Sequence, residues 1–314
     1  MSGKRQLNVH LYVTPICNLQ CKHCYYDSWS SDRVPERLLT IDTIAQVIIG
    51  ICEVFQASFD VEGGEFFLRE DIRTFFELVP SRYLQFITIT TNGLAEIKVA
   101  PRFLRQLGDL RVSIEGHTDE LQLDVRGVLL GPVLETCYRL QASSVPVTLR
   151  ITLHQKNYQV LTEMLTRLMD LGFARFSLFE FQAVGRGRDH KEEYGLSIED
   201  METVLAQLSS LPIDRRLEML KLSLSASRVQ LLARYRDGLA ARGFSVVNLL
   251  GVPSLTINYN GDLGVCPWIV GQDRIGTLRV EDLASQLSRY ITSGHLDHSC
   301  AHCSAARIWY QKHE

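Results

Sequence analysis

The sequence predicts an α/β fold built on parallel strands, and three observations carry that prediction. Short apolar runs alternate with longer helical patterns from Leu7 to Phe181, the signature of successive βαβ units. From Asp189 to Phe244 the composition turns charged and leucine-rich with helical spacing. From Ser254 to Val265, apolar alternation surrounds Asn260-Gly261-Asp262, a hairpin turn signal.

Taken in order, strand 7–13 runs into a cysteine-rich loop, and helix 40–56 follows with its apolar run Ile44 to Phe55. Strand 58–62 ends at two glycines; helix 70–79, strand 84–91, helix 101–107 and strand 110–114 come next. Helix 131–142, strand 146–153, helix 158–171 and strand 174–181 complete the alternation. Leu217, Leu220, Leu224, Leu231 and Leu232 place a helical bridge over 189–246. The hairpin and a helix at 281–293 then precede the last two cysteines, dividing the chain into 1–188, 189–246 and 247–314. There is no internal repeat and no low-complexity segment.

Bulk properties narrow the class. The 314 residues are 46% hydrophobic and 22% charged, enough for one large domain and a smaller one. With 33 basic against 36 acidic residues, the net charge of -3 gives no electrostatic reason to expect nucleic acid. No apolar run approaches the roughly 20 residues of a membrane span, and polar Met1 to Gln6 is no signal peptide. Eight cysteines without a targeting segment point to metal or catalytic thiols in a reducing, cytoplasmic setting.

Three of those cysteines, Cys17, Cys21 and Cys24, stand at Cys-x3-Cys-x2-Cys spacing after the first strand. Thiolates suit Fe-S clusters or zinc, and a 4Fe-4S cluster held by protein alone needs four. Three leave one corner for an outside ligand. The spacing resembles the radical S-adenosylmethionine (SAM) superfamily, which implies a partial (β/α)6 barrel, a 4Fe-4S cluster whose open iron takes the methionine part of SAM, and hydrogen abstraction by a 5'-deoxyadenosyl radical. His23 stands where many members carry an aromatic residue; Tyr25 and Tyr26 follow it, and Tyr25 is the expected adenine contact. A structural zinc knuckle is the competing reading, with His10 or His23 as its fourth ligand.

Further motifs lie at strand ends, where barrels of parallel strands collect function. Gly63-Gly64-Glu65 resembles the superfamily's Gly-Gly-Glu, which implies binding of the methionine amino group. Thr90-Thr91-Asn92-Gly93 puts Asn92 at the same rim. By resemblance, Ser113 and Glu115 serve the SAM carboxylate and ribose, with Glu where Asp is commoner. Asp124-Val125-Arg126-Gly127 is similar to a stretch of the peptide-modifying branch, which assigns Arg126 to the SAM carboxylate. Asn157 and Gly185-Arg186-Gly187 also resemble that branch, with Arg186 expected near the adenosine or a substrate carboxylate.

The tail carries Cys266 after the hairpin, then Cys300 and Cys303, and Ile275-Gly276-Thr277-Leu278 between them. This order resembles the SPASM and Twitch domains and implies one auxiliary 4Fe-4S cluster in a small hairpin-helix domain. Related domains usually hold another cysteine where this chain has Asn248 and Leu249, so three thiolates are expected, with His295, His298, His302, Asn248, water or substrate as fourth ligand. Zinc bound by the three cysteines and a histidine is the alternative. Cys52 and Cys137 fall in apolar helices and read as core; their functional alternative is a thiol returning hydrogen to a substrate radical, as epimerisation requires.

The expected function is a radical SAM enzyme that cross-links, epimerises or oxidises a ribosomally made peptide. A flavodoxin or ferredoxin is expected as electron donor. Because the chain begins almost at strand one, recognition of a leader peptide is expected from a separate protein or not at all. The alternatives are a dehydrogenase or epimerase of a sugar or aminocyclitol, and a non-catalytic Fe-S or zinc sensor. The sensor explains the cysteines but not the strand-end motifs.

Overall fold

A computed structural model describes residues 4–30, 32–33, 35–212, 215–249, 252–267, 274–292 and 304–312. Strands β1 (Gln6–Tyr12), β2 (Gln56–Glu62), β3 (Ile87–Thr91), β4 (Asp109–Ile114), β5 (Thr148–Leu153) and β6 (Arg175–Glu180) lie where alternation predicts them. Between them run α1 (Ile41–Val54), α2 (Ile72–Leu78), α3 (Ser81–Leu84), α4 (Pro101–Leu104), α5 (Asp119–Arg126), α6 (Leu130–Ala142) and α7 (Leu161–Asp170). The Thr40 side chain caps α1, and Ile41, Ile44, Ile48 and Ile51 form the stripe that it buries. The expected start of the third strand at residue 84 falls instead at the end of α3.

Beyond β6 come α8 (Lys191–Tyr194), α9 (Ile198–Ser210), β7 (Met219–Ser225), α10 (Leu232–Ala241) and β8 (Ser245–Asn248). The stretch expected as a helical bridge therefore contains a strand. Leu217, Leu220 and Leu224 have helical spacing by coincidence: Leu220, Leu222 and Leu224 alternate with Lys221 and Ser223, and the three leucines are fully buried. The tail supplies β9 (Ser254–Ile257), β10 (Asp262–Gly264), β11 (Gly276–Thr277), α11 (Leu283–Thr292) and β12 (Ser304–Gln311).

The strands make one sheet, ordered β11-β10-β9-β1-β2-β3-β4-β5-β6-β7-β12-β8. From β9 to β7 neighbours are parallel, and the two edges do not pair, so the barrel is partial. The expected hairpin forms, but it extends the barrel sheet along β1. β12 returns antiparallel to β7 at the far edge.

The two faces of the sheet have different chemistry. Val9, Leu11, Phe59, Val61, Ile89, Val112, Ile151, Leu178 and Leu222 are buried in one apolar core with the helices. The concave face carries charge. Arg111 on β4 bonds Asp60 on β2 at 2.9 Å, and Lys221 on β7 stands 3.9 Å from Asp109 on β4, a reach that requires curvature. No helix among the described residues is long and apolar enough to cross a membrane.

Candidate active site

The largest constellation of expected residues lines one cleft at the C-terminal strand ends, open to solvent. Cys17, Cys21, Cys24, Tyr25, Gly63, Gly64, Glu65, Asn92, Ser113 and Arg126 all face it. Glu115, Cys52 and Cys137 are not on its wall.

The cysteine loop is fastened from several sides. Gly64 N donates to the Thr14 carbonyl at 2.7 Å and Glu65 N to the Ile16 carbonyl at 2.8 Å. A Cβ on Gly64 would lie 1.9 Å from the Ile16 carbonyl oxygen, so this approach demands glycine. The Glu65 carboxylate, expected at the methionine amino group, accepts from Phe67 N, the Thr91 hydroxyl and Asn92 N at 3.1, 2.7 and 2.7 Å. Burial pushes its pKa up despite those donors. The Gly-Gly-Glu segment thus braces the cysteine loop as well as facing the cleft.

Arg186, expected near adenosine or substrate, grips the same loop from outside. Its guanidinium donates to the Cys21 and Ser28 carbonyls at 3.1 and 2.7 Å and pairs with Asp27. Asp124 adds Lys22, Lys156 and Tyr194 as partners at 3.0, 2.6 and 2.9 Å. Asn157 is wholly buried, bonding the Glu115 and Thr152 carbonyls, so it holds β4 to β5.

Arg126 is the last residue of α5, which Gly127 closes in the left-handed conformation. Its Nε donates to Glu115 Oε1 at 2.6 Å, and Nη1 stands 4.0 Å from Cys21 Sγ. Glu115, fully buried, also meets His23 Nε2 at 2.8 Å and His154 Nε2 at 3.3 Å. Burial opposes the carboxylate, but His23, Arg126 and His154 outweigh it and hold its pKa well below the usual range. Glu115, expected at the ribose, therefore sits behind the wall and orients Arg126 and His23.

The thiols make polar contacts: Leu19 N donates to Cys17 Sγ at 3.4 Å, Asn92 Nδ2 to Cys17 Sγ at 3.7 Å, and Cys24 Sγ meets Ser28 Oγ at 3.6 Å. Burial raises the Cys17 thiol and pushes Cys21 up to about 12, so an anionic form needs a cation at the sulfurs. Among the described residues no three His, Cys, Asp or Glu side chains converge on one ion. Cys17, Cys21 and Cys24 all border the cleft, and three soft thiolates are the ligands that an Fe-S cluster takes. The chemistry of the donor set thus fits such a cluster.

Tyr25 and Tyr26 have separate tasks. The Tyr25 hydroxyl donates to Glu62 Oε2. Tyr26 stacks on Tyr12 at 4.5 Å and donates to Asn258 Oδ1, while the Tyr12 hydroxyl donates to the Pro267 carbonyl at 2.8 Å. These contacts dock the tail hairpin onto the cysteine loop, with buried Cys266 beside Pro267. Cys300, Cys303, His295, His298 and His302 lie outside the described residues.

Cys52 in α1 and Cys137 in α6 belong to the apolar core. Burial pushes them up to about 11 and about 12. Sequence reasoning passed over Glu62, Arg150, Phe179, Glu180 and Gln182, which also line the cleft. Strand-end position was the available signal for Glu62, Phe179, Glu180 and Gln182, whereas Arg150 is the third residue of β5.

Residues 11–168 match the family model described as Radical SAM superfamily. A probable GTP 3',8-cyclase of Methanococcus maripaludis is 28% identical over 116 residues, 37% of this chain and 38% of that one. The antilisterial bacteriocin subtilosin biosynthesis protein AlbA of Bacillus subtilis is 24% identical over 200 residues, 60% of this chain and 43% of AlbA. The chain thus spans about two fifths of the length of these curated relatives. Streptococcus suis SuiB bound to S-adenosylmethionine superposes with a TM-score of 0.73 at 15% identity, over 94% of this chain and 68% of SuiB. SuiB bound to its precursor peptide SuiA gives 0.67 at 15% identity over 90% of this chain and 64% of SuiB, and both comparisons speak to fold.

Proposed function

Since the chain belongs to the radical SAM superfamily, we propose that it is an enzyme that cleaves SAM reductively and takes hydrogen from a ribosomally made peptide. The observation that carries the first half is the gathering of Cys17, Cys21, Cys24, Gly63, Asn92, Ser113 and Arg126 around one cleft. Cys17, Cys21 and Cys24 would hold a 4Fe-4S cluster, which when bound supplies the electron that cleaves SAM to a 5'-deoxyadenosyl radical. The chain's own part is to brace the loop through Asn92, Gly64 and Arg186, to present Arg126 beside Cys21, and to offer donors to the sulfurs.

The peptide half is supported by the longer match to AlbA, 200 residues against 116 for the Methanococcus maripaludis cyclase and 156 for the GTP 3',8-cyclase of Peptoclostridium acidaminophilum, and by fold similarity to SuiB over most of the chain. A separate leader-binding protein and a flavodoxin or ferredoxin donor belong to this reading. Cys266, with Cys300 and Cys303, is proposed to hold an auxiliary cluster that accepts an electron from the substrate radical. With both spare thiols in the core, oxidation or cross-linking is favoured over epimerisation.

Anaerobic reconstitution tests this. Wild type should bind about eight irons and the triple Cys17, Cys21, Cys24 to Ala variant about four, at four per cubane. Wild type should form 5'-deoxyadenosine under strong reduction. About four irons falling to none removes the auxiliary cluster; no 5'-deoxyadenosine from iron-replete protein removes the enzyme reading.

A further inference from the structure

Arginines packed into the fold differ in how their donors are used. Arg69 places Nε and Nη2 on Asp71 and Nη1 on the Val13 carbonyl. Arg111 reaches Asp60 and Asp109, and Arg126 reaches Glu115. Arg150, beside Ser113 in the strand register and on the cleft wall, is different. Its guanidinium lies 4.5 Å from the Phe179 ring centroid, and Nη1 is 3.5 Å from Glu62 Oε1, long for a hydrogen bond. Its Nε is buried, with no acceptor among the described residues.

A buried donor without a partner costs free energy unless a ligand supplies the acceptor. Packing on an aromatic face fixes the guanidinium plane and leaves its edge for an in-plane acceptor. A carboxylate matches that edge with two oxygens. Glu62 and Glu180 share the cleft, and their charge disfavours a phosphate dianion more than a carboxylate monoanion.

We propose that Arg150 anchors a carboxylate of the substrate in this cleft, supplied by an acidic side chain or by a peptide C-terminus. The proposal rests on the peptide-modifying reading above. Arg150 is then a specificity-determining residue, separate from the groups that brace the cysteine loop.

The test uses reconstituted, SAM-loaded wild type, Arg150→Gln and Arg150→Lys. Binding is measured by calorimetry with three probes: acetyl-Ala-Glu-Ala-amide, acetyl-Ala-Gln-Ala-amide, and acetyl-Ala-Ala-Ala with a free C-terminus. Wild type should bind one of the two acids about tenfold more tightly than the Gln probe, the scale of a charge-assisted bidentate pair, and whichever acid wins identifies the source. Arg150→Gln should lose the preference while keeping its iron and its SAM affinity. Arg150→Lys, which keeps the charge without the fork, should keep part of the preference, and it carries the test if the Gln variant does not fold. Equal binding of acid and amide by wild type overturns the proposal, and so does a loss of SAM affinity in Arg150→Gln, which would make Arg150 a cofactor ligand. Probe binding needs no turnover, so a failure of wild type to form 5'-deoxyadenosine is a separate result that sinks the parent reading.

Discussion

His23 and Glu115 meet at 2.8 Å beneath the cysteine loop, tying a residue one place before Cys24 to the end of β4. Arg126 shares the same carboxylate oxygen. Removing Glu115 would leave a buried guanidinium without its counter-ion, a loss that typically costs about 3–5 kcal/mol. Glu115→Ala should lower the urea midpoint accordingly, and Glu115→Gln, which still accepts hydrogen bonds, should lower it less. Equal midpoints for Glu115→Ala and wild type would show that the triad contributes nothing.

The thiols divide into two groups by position. Cys17→Ala and Cys21→Ala should abolish 5'-deoxyadenosine formation and lower iron content. Cys52→Ala and Cys137→Ala remove core atoms away from the cleft and should keep SAM cleavage at the wild-type rate. Undiminished cleavage in Cys17→Ala would refute the assignment of the cluster.

Gly64 tests how closely the second strand end must approach the loop. An alanine there puts Cβ 1.9 Å from a carbonyl oxygen, which forces the backbone apart. Gly64→Ala should cost about 2–3 kcal/mol, in the upper range for single substitutions, and weaken SAM binding measured by equilibrium dialysis. Gly131→Ala, where the added carbon meets nothing within 4 Å, is the control.

Lys221 supplies a pH-dependent prediction. Burial, with Arg111, Arg307 and Arg175 nearby and Asp109 only partly compensating, lowers its pKa from 10.5 to about 8. The folded state therefore releases this proton before the unfolded state does. Below about pH 8 the ammonium is charged in both states and burying it costs roughly 3 kcal/mol, at about 1.4 kcal/mol per pH unit. That cost fades as pH rises from about 8 to 10.5 and is gone above it. Lys221→Met should therefore be more stable than wild type in urea at pH 7 and match it near pH 10.5; a constant difference would contradict the assignment.

Much of the site was readable because parallel strands deliver their C-terminal ends to one rim, so strand boundaries put Gly63, Asn92 and Ser113 there, and the resemblance to superfamily motifs singled out Gly63 and Ser113. What escaped was set by contacts between distant segments. Nothing in the run around Glu115 announces that His23, Arg126 and His154 converge on it, or that Arg186 holds loop carbonyls. Arg150 is a lone charge between Leu149 and Ile151, visible as a site residue only once the strand's inward face is known. At β7, a spacing that fits a helix was overruled by the place left beside β6.

The pairing of β1 with β9 has a consequence for how the chain is made. Asn8 lies beside Ser254, so an emerging β1 keeps one edge unpaired until roughly 250 further residues have left the ribosome, on the order of ten to fifty seconds at usual elongation rates. Through that interval the nascent barrel exposes an apolar strand margin that other chains can join. Later-made segments cover both margins, β9 at one and β12 at the other. Chaperone occupancy during synthesis should accordingly fall once β9 and β12 have emerged.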